Sequence, residues 1–314
     1  DPAVALNLFT KNDLNILPIS SAISATVSDD PLLSSQANTY TPSCTWAFMY
    51  HNQKAPFDNQ KVREAFSLSI DRQAWVNEAL GGAGIPTLTW IPQGFPGYDA
   101  DEDRWDYNPA TAVQALEDSG YTVEDGVLID PETGPVEIVD SFITSDTNIF
   151  RHTWLAETWQ EVLGVTVTLN PVDRDTYNAL RSDLSTMPPI YLMGWCADYP
   201  DPQNWLSVYW KSNSTFAERI GYSNTELDAL LDLADATVDP ILRLEKYMEA
   251  QRLMIGDAPA TFGWNNINAY LVKSRVKGEV GTPQDVLWMG EYDPLLITLD
   301  PVWEHALFLP AIVK

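Results

Sequence analysis

The chain has 314 residues, 45% of them hydrophobic and 20% charged, the composition of a globular protein long enough for two lobes rather than a disordered one. Its 44 acidic against 18 basic residues leave a net charge of −26, which argues against nucleic acid as a partner because phosphate binding needs clustered Lys and Arg. No apolar run approaches the roughly 20 residues of a membrane-spanning helix.

In chain order, VALNLFTKND (4–13) is a short amphipathic pattern and LNILPI reads as a buried strand. Residues 31–43, PLLSSQANTYTPS, form a turn-rich connection. TWAFMY (45–50) is a continuous aromatic and apolar run, a buried strand. Asp58 is placed to cap one helix over VREAFSLSIDRQAWVNEAL (62–80), whose apolar face carries Val62, Ala65, Phe66, Ile70, Trp75 and Val76. The Gly/Pro-rich stretch 81–99 reads as an ordered surface loop, since Pro86 follows its glycines and no helix opens there to cradle a phosphate. DADED (99–103) alternates carboxylates like a calcium loop but lacks the central Gly and terminal Glu. Asn108 caps, Pro109 opens and Gly120 closes the next helix. A strand at VEIVDSFITS, a helix at FRHTWLAETWQEVLG, a strand at VTVTLNPVD, a helix at DTYNALRSDLS and a strand at PIYLMGWCAD then alternate, which predicts an α/β layer fold. Two helices, NTELDALLDLADATV and DPILRLEKYMEAQRLMIGDAP, precede the extended ATFGWNNINAYLV.

The two cysteines are either buried thiols or one long-range bridge. His51, His152 and His305 share no ligand spacing, so neither a metal site nor a cofactor is expected. The stretch GWCADYPDPQNW (194–205) ends a strand at the C-terminal edge of a sheet, where α/β proteins bind ligands. Its prolines stop the strand and leave Asp198 at the opening. A partly desolvated carboxylate there calls for a cation, and an ammonium group is the natural ligand.

PFDNQKVREAFSLSIDRQAWVNEALGGAGIP is similar to the motif of the extracellular solute-binding proteins of peptide-type ABC importers, family 5. WDYNPATAVQALEDSGY, GWCADYPDPQNWL and NTELDALLDLADATVDPILRLEKYMEAQRLMIGDAPA resemble three further landmarks of that family. The resemblance runs from about residue 1 to about residue 300. It implies a periplasmic-binding-protein-like type II α/β fold, with a complete second ligand-binding lobe over 44–285 and parts of the terminal lobe (domain I) at 1–43 and 286–314. It further implies an extracytoplasmic protein, periplasmic or a cell-surface lipoprotein tethered through a missing N-terminus. Such a protein binds oligopeptides in an interlobe cleft and delivers them to the permease subunits of an ABC transporter. Family members are longer, so a missing N-terminal half of the same protein is an expected partner.

In the oligopeptide-binding members, the Asp matching Asp198 pairs with the peptide's free α-ammonium, and the Cys matching Cys196 bonds to the one matching Cys44. The resemblance therefore implies a Cys44–Cys196 disulfide and a site formed by Trp195, Cys196, Ala197, Asp198 and Tyr199, with Trp46 beside it. Ala47 and Met49 stand where those relatives have a ligand-facing Tyr and Glu, and Leu192 stands for an Arg. Arg181 matches, across a small gap, an Arg that meets peptide carboxylates. The 12 tryptophans give a second reading, an oligosaccharide cleft walled by Trp195, Trp46 and Trp205. A glycoside hydrolase using Asp198 and Asp201 is the third, but a three-residue separation around prolines gives no reason to expect the required carboxylate geometry, and there is no GxSxG elbow. No enzyme is expected.

Overall fold

The run CTWAFMY is apolar without alternation because it lies in the middle of a sheet: every residue of strand β1 (Cys44–Tyr50) except the half-buried Trp46 is buried. The computed structural model describes residues 1–40, 44–277 and 298–299. In it, β1 shares a six-stranded sheet with β2 (Gly84–Pro86), β3 (Glu137–Ile143), β4 (Thr166–Val172), β5 (Ile190–Cys196) and β6 (Ala260–Asn266), in spatial order β2-β6-β1-β5-β3-β4. The pairs β5/β3 and β3/β4 are parallel, joined in sequence through the helices Asp146–Leu163 and Arg174–Leu180, as parallel neighbours require. The pairs β1/β5, β1/β6 and β6/β2 are antiparallel.

The register places Trp46, Phe48 and Tyr50 opposite Gly194, Leu192 and Ile190, so these six residues share one face. That face packs on Val62, Ala65 and Phe66 of the helix Gln60–Leu68, on Ala112 and Leu116, and on Leu155 and Trp159. Tyr191, Met193 and Trp195 alternate to the other face.

Several boundaries differ from expectation for identifiable reasons. The cap of the helix Gln60–Leu68 is Asn59, which accepts from the Lys61 N–H at 2.9 Å, while Asp58 lies one residue earlier and is exposed. The single helix expected over 62–80 is broken after Leu68. Buried Arg72 donates to the Ser67 and Ile70 carbonyls, and Asp71 caps a new turn by accepting from Gln73 and Ala74 at 2.9 and 3.0 Å. Gly84–Pro86, within the expected loop 81–99, is recruited as an edge strand by β6. The helix Pro109–Asp118 starts as expected, with Asn108 accepting from Thr111 and Gly120 following its end at φ +90°.

The chain divides into two compact units, Cys44–Asn266 and the residues flanking it on both sides. In the flanking unit the strand Asn268–Val272 lies between Ile16–Pro18 and Ala37–Tyr40, antiparallel to both, over a small core of Phe9, Leu17, Ile23, Val27, Leu33 and Leu271. That pairing draws the chain out of the larger unit at Asn266, earlier than the expected residue 285. The return expected over 286–314 lies outside the described residues, apart from Thr298–Leu299, which pairs with Val276–Lys277. No helix among the described residues is long and apolar enough to cross a membrane.

Candidate functional site

Antiparallel pairing sets Cys44, the first residue of β1, directly opposite Cys196, the last of β5, and the two form a disulfide across a sequence separation of 152 residues. The bridge ties down the strand end from which Ala197 and Asp198 emerge. Ala197 is buried and Asp198 is exposed. Asp198 is nonetheless held by Asn204, which is only 1% exposed. The Oδ1 of Asn204 accepts from the Asp198 backbone N–H and from Trp195 Nε1, each at 3.1 Å, and its Nδ2 donates to Asp198 Oδ2 at 3.0 Å. One buried amide thus orients the carboxylate and the indole together.

Asn204 is itself fixed by the short helix Pro202–Trp205. Pro202 opens it, and Asp201 caps it by accepting from the Gln203 N–H at 2.8 Å. Arg243 grips Asp201 with two hydrogen bonds of 2.7 and 2.9 Å, while its guanidinium lies 4.7 Å from the Tyr247 ring centre. Burial works against ionisation of Asp201, but the bonds from Arg243 and Gln203 outweigh it and hold the carboxyl below its ordinary range. The two carboxylates of the motif therefore differ. Asp201 is neutralised by Arg243, whereas among the described residues no Lys, Arg or His forms an ion pair with Asp198.

On the same face as Trp195 lies an aromatic group with two arginines at its margin. Trp195 meets Phe216 and Tyr209 edge-on at 4.9 and 5.4 Å, and those two rings stack at 4.7 Å. Arg219 lies 5.7 Å from the centre of the Phe216 ring, and its Nε is buried without a hydrogen-bond partner. Arg181 lies 5.2 Å from the centre of the Tyr177 ring and donates to Asn178 Oδ1 and Met193 Sδ. Burial pushes the Tyr191 phenol up to about 12 while both guanidiniums pull it back, so Tyr191 feels the two charges together. Among the described residues neither arginine has a carboxylate partner, in a chain with 44 of them.

The structure brings together only part of the expected set. Trp195, Cys196, Asp198 and exposed Tyr199, whose hydroxyl donates to Gln203, line the strand end. Ala47 and Met49 are 0% exposed and offer no surface to a ligand, because β1 is covered on both faces. Trp46 points to the opposite face from Trp195. It stacks on Trp264 and lies flat on Gly194, where an added Cβ would come within 2.7 Å of the ring. Trp205 is core, edge-on to Trp90 and Phe95. Leu192, at the position of the expected Arg, packs against the core cluster, where a guanidinium would be buried among hydrocarbon. Asn204, Arg243 and Arg219 were not singled out in the sequence. Asn204 sits six residues after Asp198 across two prolines, and no periodicity signals that contact. Within DADED, buried Asp99 pairs with Arg252 at 2.6 Å and Glu102 with Arg104 at 3.7 Å.

Residues 1–217 match the model of the bacterial extracellular solute-binding proteins, family 5 Middle. The periplasmic oligopeptide-binding protein OppA of Salmonella typhimurium is 26% identical over 243 residues, covering 76% of this chain and 42% of the relative. Heme-binding protein A of Haemophilus influenzae is 28% identical over 235 residues, covering 74% and 41%. The chain thus spans less than half the length of these relatives. Among solved structures, the unliganded open form of the murein tripeptide-binding protein MppA superposes with a TM-score of 0.79 at 22% identity, covering 91% of this chain and 54% of that one. Haemophilus influenzae OppA in complex with RPPGFSPFR gives 0.70 at 22%, covering 95% and 56%. Both likenesses establish the periplasmic-binding-protein type II fold.

Proposed function

This chain belongs to family 5 of the bacterial extracellular solute-binding proteins, and from that premise we propose that it serves an ABC importer by binding oligopeptides through their free α-ammonium at Asp198. One observation carries the reading: Asp198 is an exposed carboxylate just beyond the C-terminal end of β5, the side of an α/β sheet that commonly takes ligands, oriented by buried Asn204 and lacking a cation partner among the described residues. An ammonium supplies the donors such a carboxylate lacks, in charge-assisted hydrogen bonds. Arg181 and Arg219, which lack carboxylate partners among the described residues, are suited to a ligand carboxylate, and Arg219 lies over Phe216, which in turn meets Trp195.

The competing readings have less support. Trp75, Trp90, Trp159, Trp205 and Trp210 are fully buried in the core, so their faces are unavailable for stacking on sugars. Asp201 is locked by Arg243, so Asp198 and Asp201 are not the pair of working carboxylates that glycoside hydrolysis needs. In this proposal the protein is extracytoplasmic and hands its ligand to permease subunits. The part of the relatives' length that this chain does not span would supply the opposing wall of the cleft.

The test is calorimetry on the full-length protein with matched free and N-acetylated peptides. Acetylation and Asp198→Asn should each weaken binding about tenfold to a hundredfold, the value of a hydrogen bond to a charged group. Equal affinities for free and acetylated peptides would refute the ammonium anchor.

A further inference from the structure

Among the described residues, every buried or half-buried arginine but one has found an acceptor inside the protein. Arg63, Arg72, Arg151 and Arg275 donate to backbone carbonyls, Arg243 to Asp201, and Arg181 to Asn178 and Met193. Arg219 has none. Its Nε is buried without a partner, and its terminal nitrogens donate to nothing but are not buried. Its guanidinium lies over the Phe216 ring, 5.7 Å from the centre, and a ring face attracts a cation without offering a lone pair to its N–H groups. The adjacent Glu218 is exposed and forms no ion pair with it. In a chain of 44 acidic residues, a half-buried guanidinium without a carboxylate is a place left for an outside acceptor.

What Arg219 leans on says where that acceptor comes from. Phe216 meets Trp195 edge-on at 4.9 Å, and the Trp195 indole shares Asn204 Oδ1 with the Asp198 N–H. Met193, two residues before Trp195 and on the same face of β5, receives a hydrogen bond from Arg181. Same-face positions two apart on a strand are about 7 Å from each other, so Arg181 and the ring under Arg219 border adjacent positions of one face. The Tyr191 phenol, next along that face, feels both charges. A carboxylate fills one guanidinium fork, so the single terminal carboxylate of a peptide leaves one of the two arginines unpaired. With that carboxylate at Arg181, as the family resemblance implies, Arg219 is left for a carboxylate elsewhere in the ligand. We propose that Arg219 is a specificity-determining residue that selects acidic peptides by pairing with a Glu or Asp side chain of the ligand. The inference rests on the peptide reading above and narrows it to a class of peptide.

The probes are alanine tetrapeptides carrying Glu at position two, three or four, each matched by its Gln counterpart and titrated by calorimetry into the full-length protein. At one position or more, Glu should bind about tenfold more tightly than Gln, and salt should weaken that preference. Arg219→Met keeps hydrocarbon against Phe216 and breaks no internal hydrogen bond, so the variant should fold and lose the preference. Arg219→Lys, which keeps the charge but not the fork, should retain part of it. Asp198→Asn should weaken the Glu and Gln peptides alike and leave their ratio intact. The two readings therefore fail separately: N-acetylation reports on the ammonium anchor, and the Glu/Gln ratio on Arg219. Equal Glu and Gln affinities at every position, or a preference that survives in Arg219→Met, overturns the proposal. An effect of Arg219→Met that vanishes once the peptide C-terminus is amidated overturns it too, since it assigns Arg219 to the terminal carboxylate.

Discussion

Replacing Asn204 by Ala tests how the proposed anchor is held. The substitution removes three hydrogen bonds at once, those from the Asp198 N–H and Trp195 Nε1 to Oδ1 and that from Nδ2 to Asp198. Two donors then lose their acceptor, and each would cost about 1–3 kcal/mol if fully sealed from water. Water reaches the half-buried Trp195 and the exposed Asp198, so the sum falls toward the low end, about 2–3 kcal/mol. Urea unfolding reads that loss, and exchange of the Trp195 indole proton should accelerate in parallel. Free-amine peptides should bind about tenfold more weakly while N-acetylated ones are unaffected, because only the former use an oriented Asp198. Asn204→Asp is the instructive companion. It keeps the acceptor but sets a second carboxylate where the amide now lies 3.0 Å from Asp198, so its stability deficit should shrink as pH falls and the pair takes up a proton. An Asn204→Ala protein with wild-type urea midpoint and wild-type peptide affinity would show that Asn204 does not set the pose of Asp198.

Three further outcomes are expected. Intact mass after alkylation should show no free thiol in native protein and two after reduction. Opening the loop of 152-residue separation should then lower the melting temperature, with a chain-entropy ceiling of about 5 kcal/mol, and two thiols alkylated without reductant would exclude the bridge. The lowered Asp201 pKa contributes stability that is complete above the unfolded carboxyl value and lost as pH falls through the folded one. Arg243→Met should therefore flatten that acid limb of the stability profile, and parallel profiles for the two proteins would refute the linkage. Gly194→Ala drives a Cβ to within 2.7 Å of the Trp46 ring and should destabilise by about 1–3 kcal/mol in urea, whereas a neutral result would mean that Trp46 moves freely.

What the sequence determined by itself is whatever rests on local patterning. The two-sided apolar run of β1, the Asn108–Pro109 start of a helix and the strand–helix alternation through β3, β4 and β5 follow from side-chain periodicity and caps that act within a few residues. The position of the proposed anchor could be singled out too, because Asp198 follows closely on the end of β5 in a proline-rich motif. The disulfide was legible only through resemblance, since nothing local links residues 152 apart. Tertiary structure decided the rest. The helix read over 62–80 breaks because Arg72 finds carbonyls on distant elements, Phe262 and Trp105 among them. Trp46 and Trp195 part company because register, not adjacency to the cysteines, decides which face a strand residue takes. Asn204 holds Asp198, and Arg243 neutralises Asp201 from 42 residues away, through contacts that form only once the sheet and the helix Pro240–Gly256 have packed. Which of two neighbouring carboxylates remains available to a ligand depends on where the cations of other elements come to rest, and no spacing along the chain encodes that.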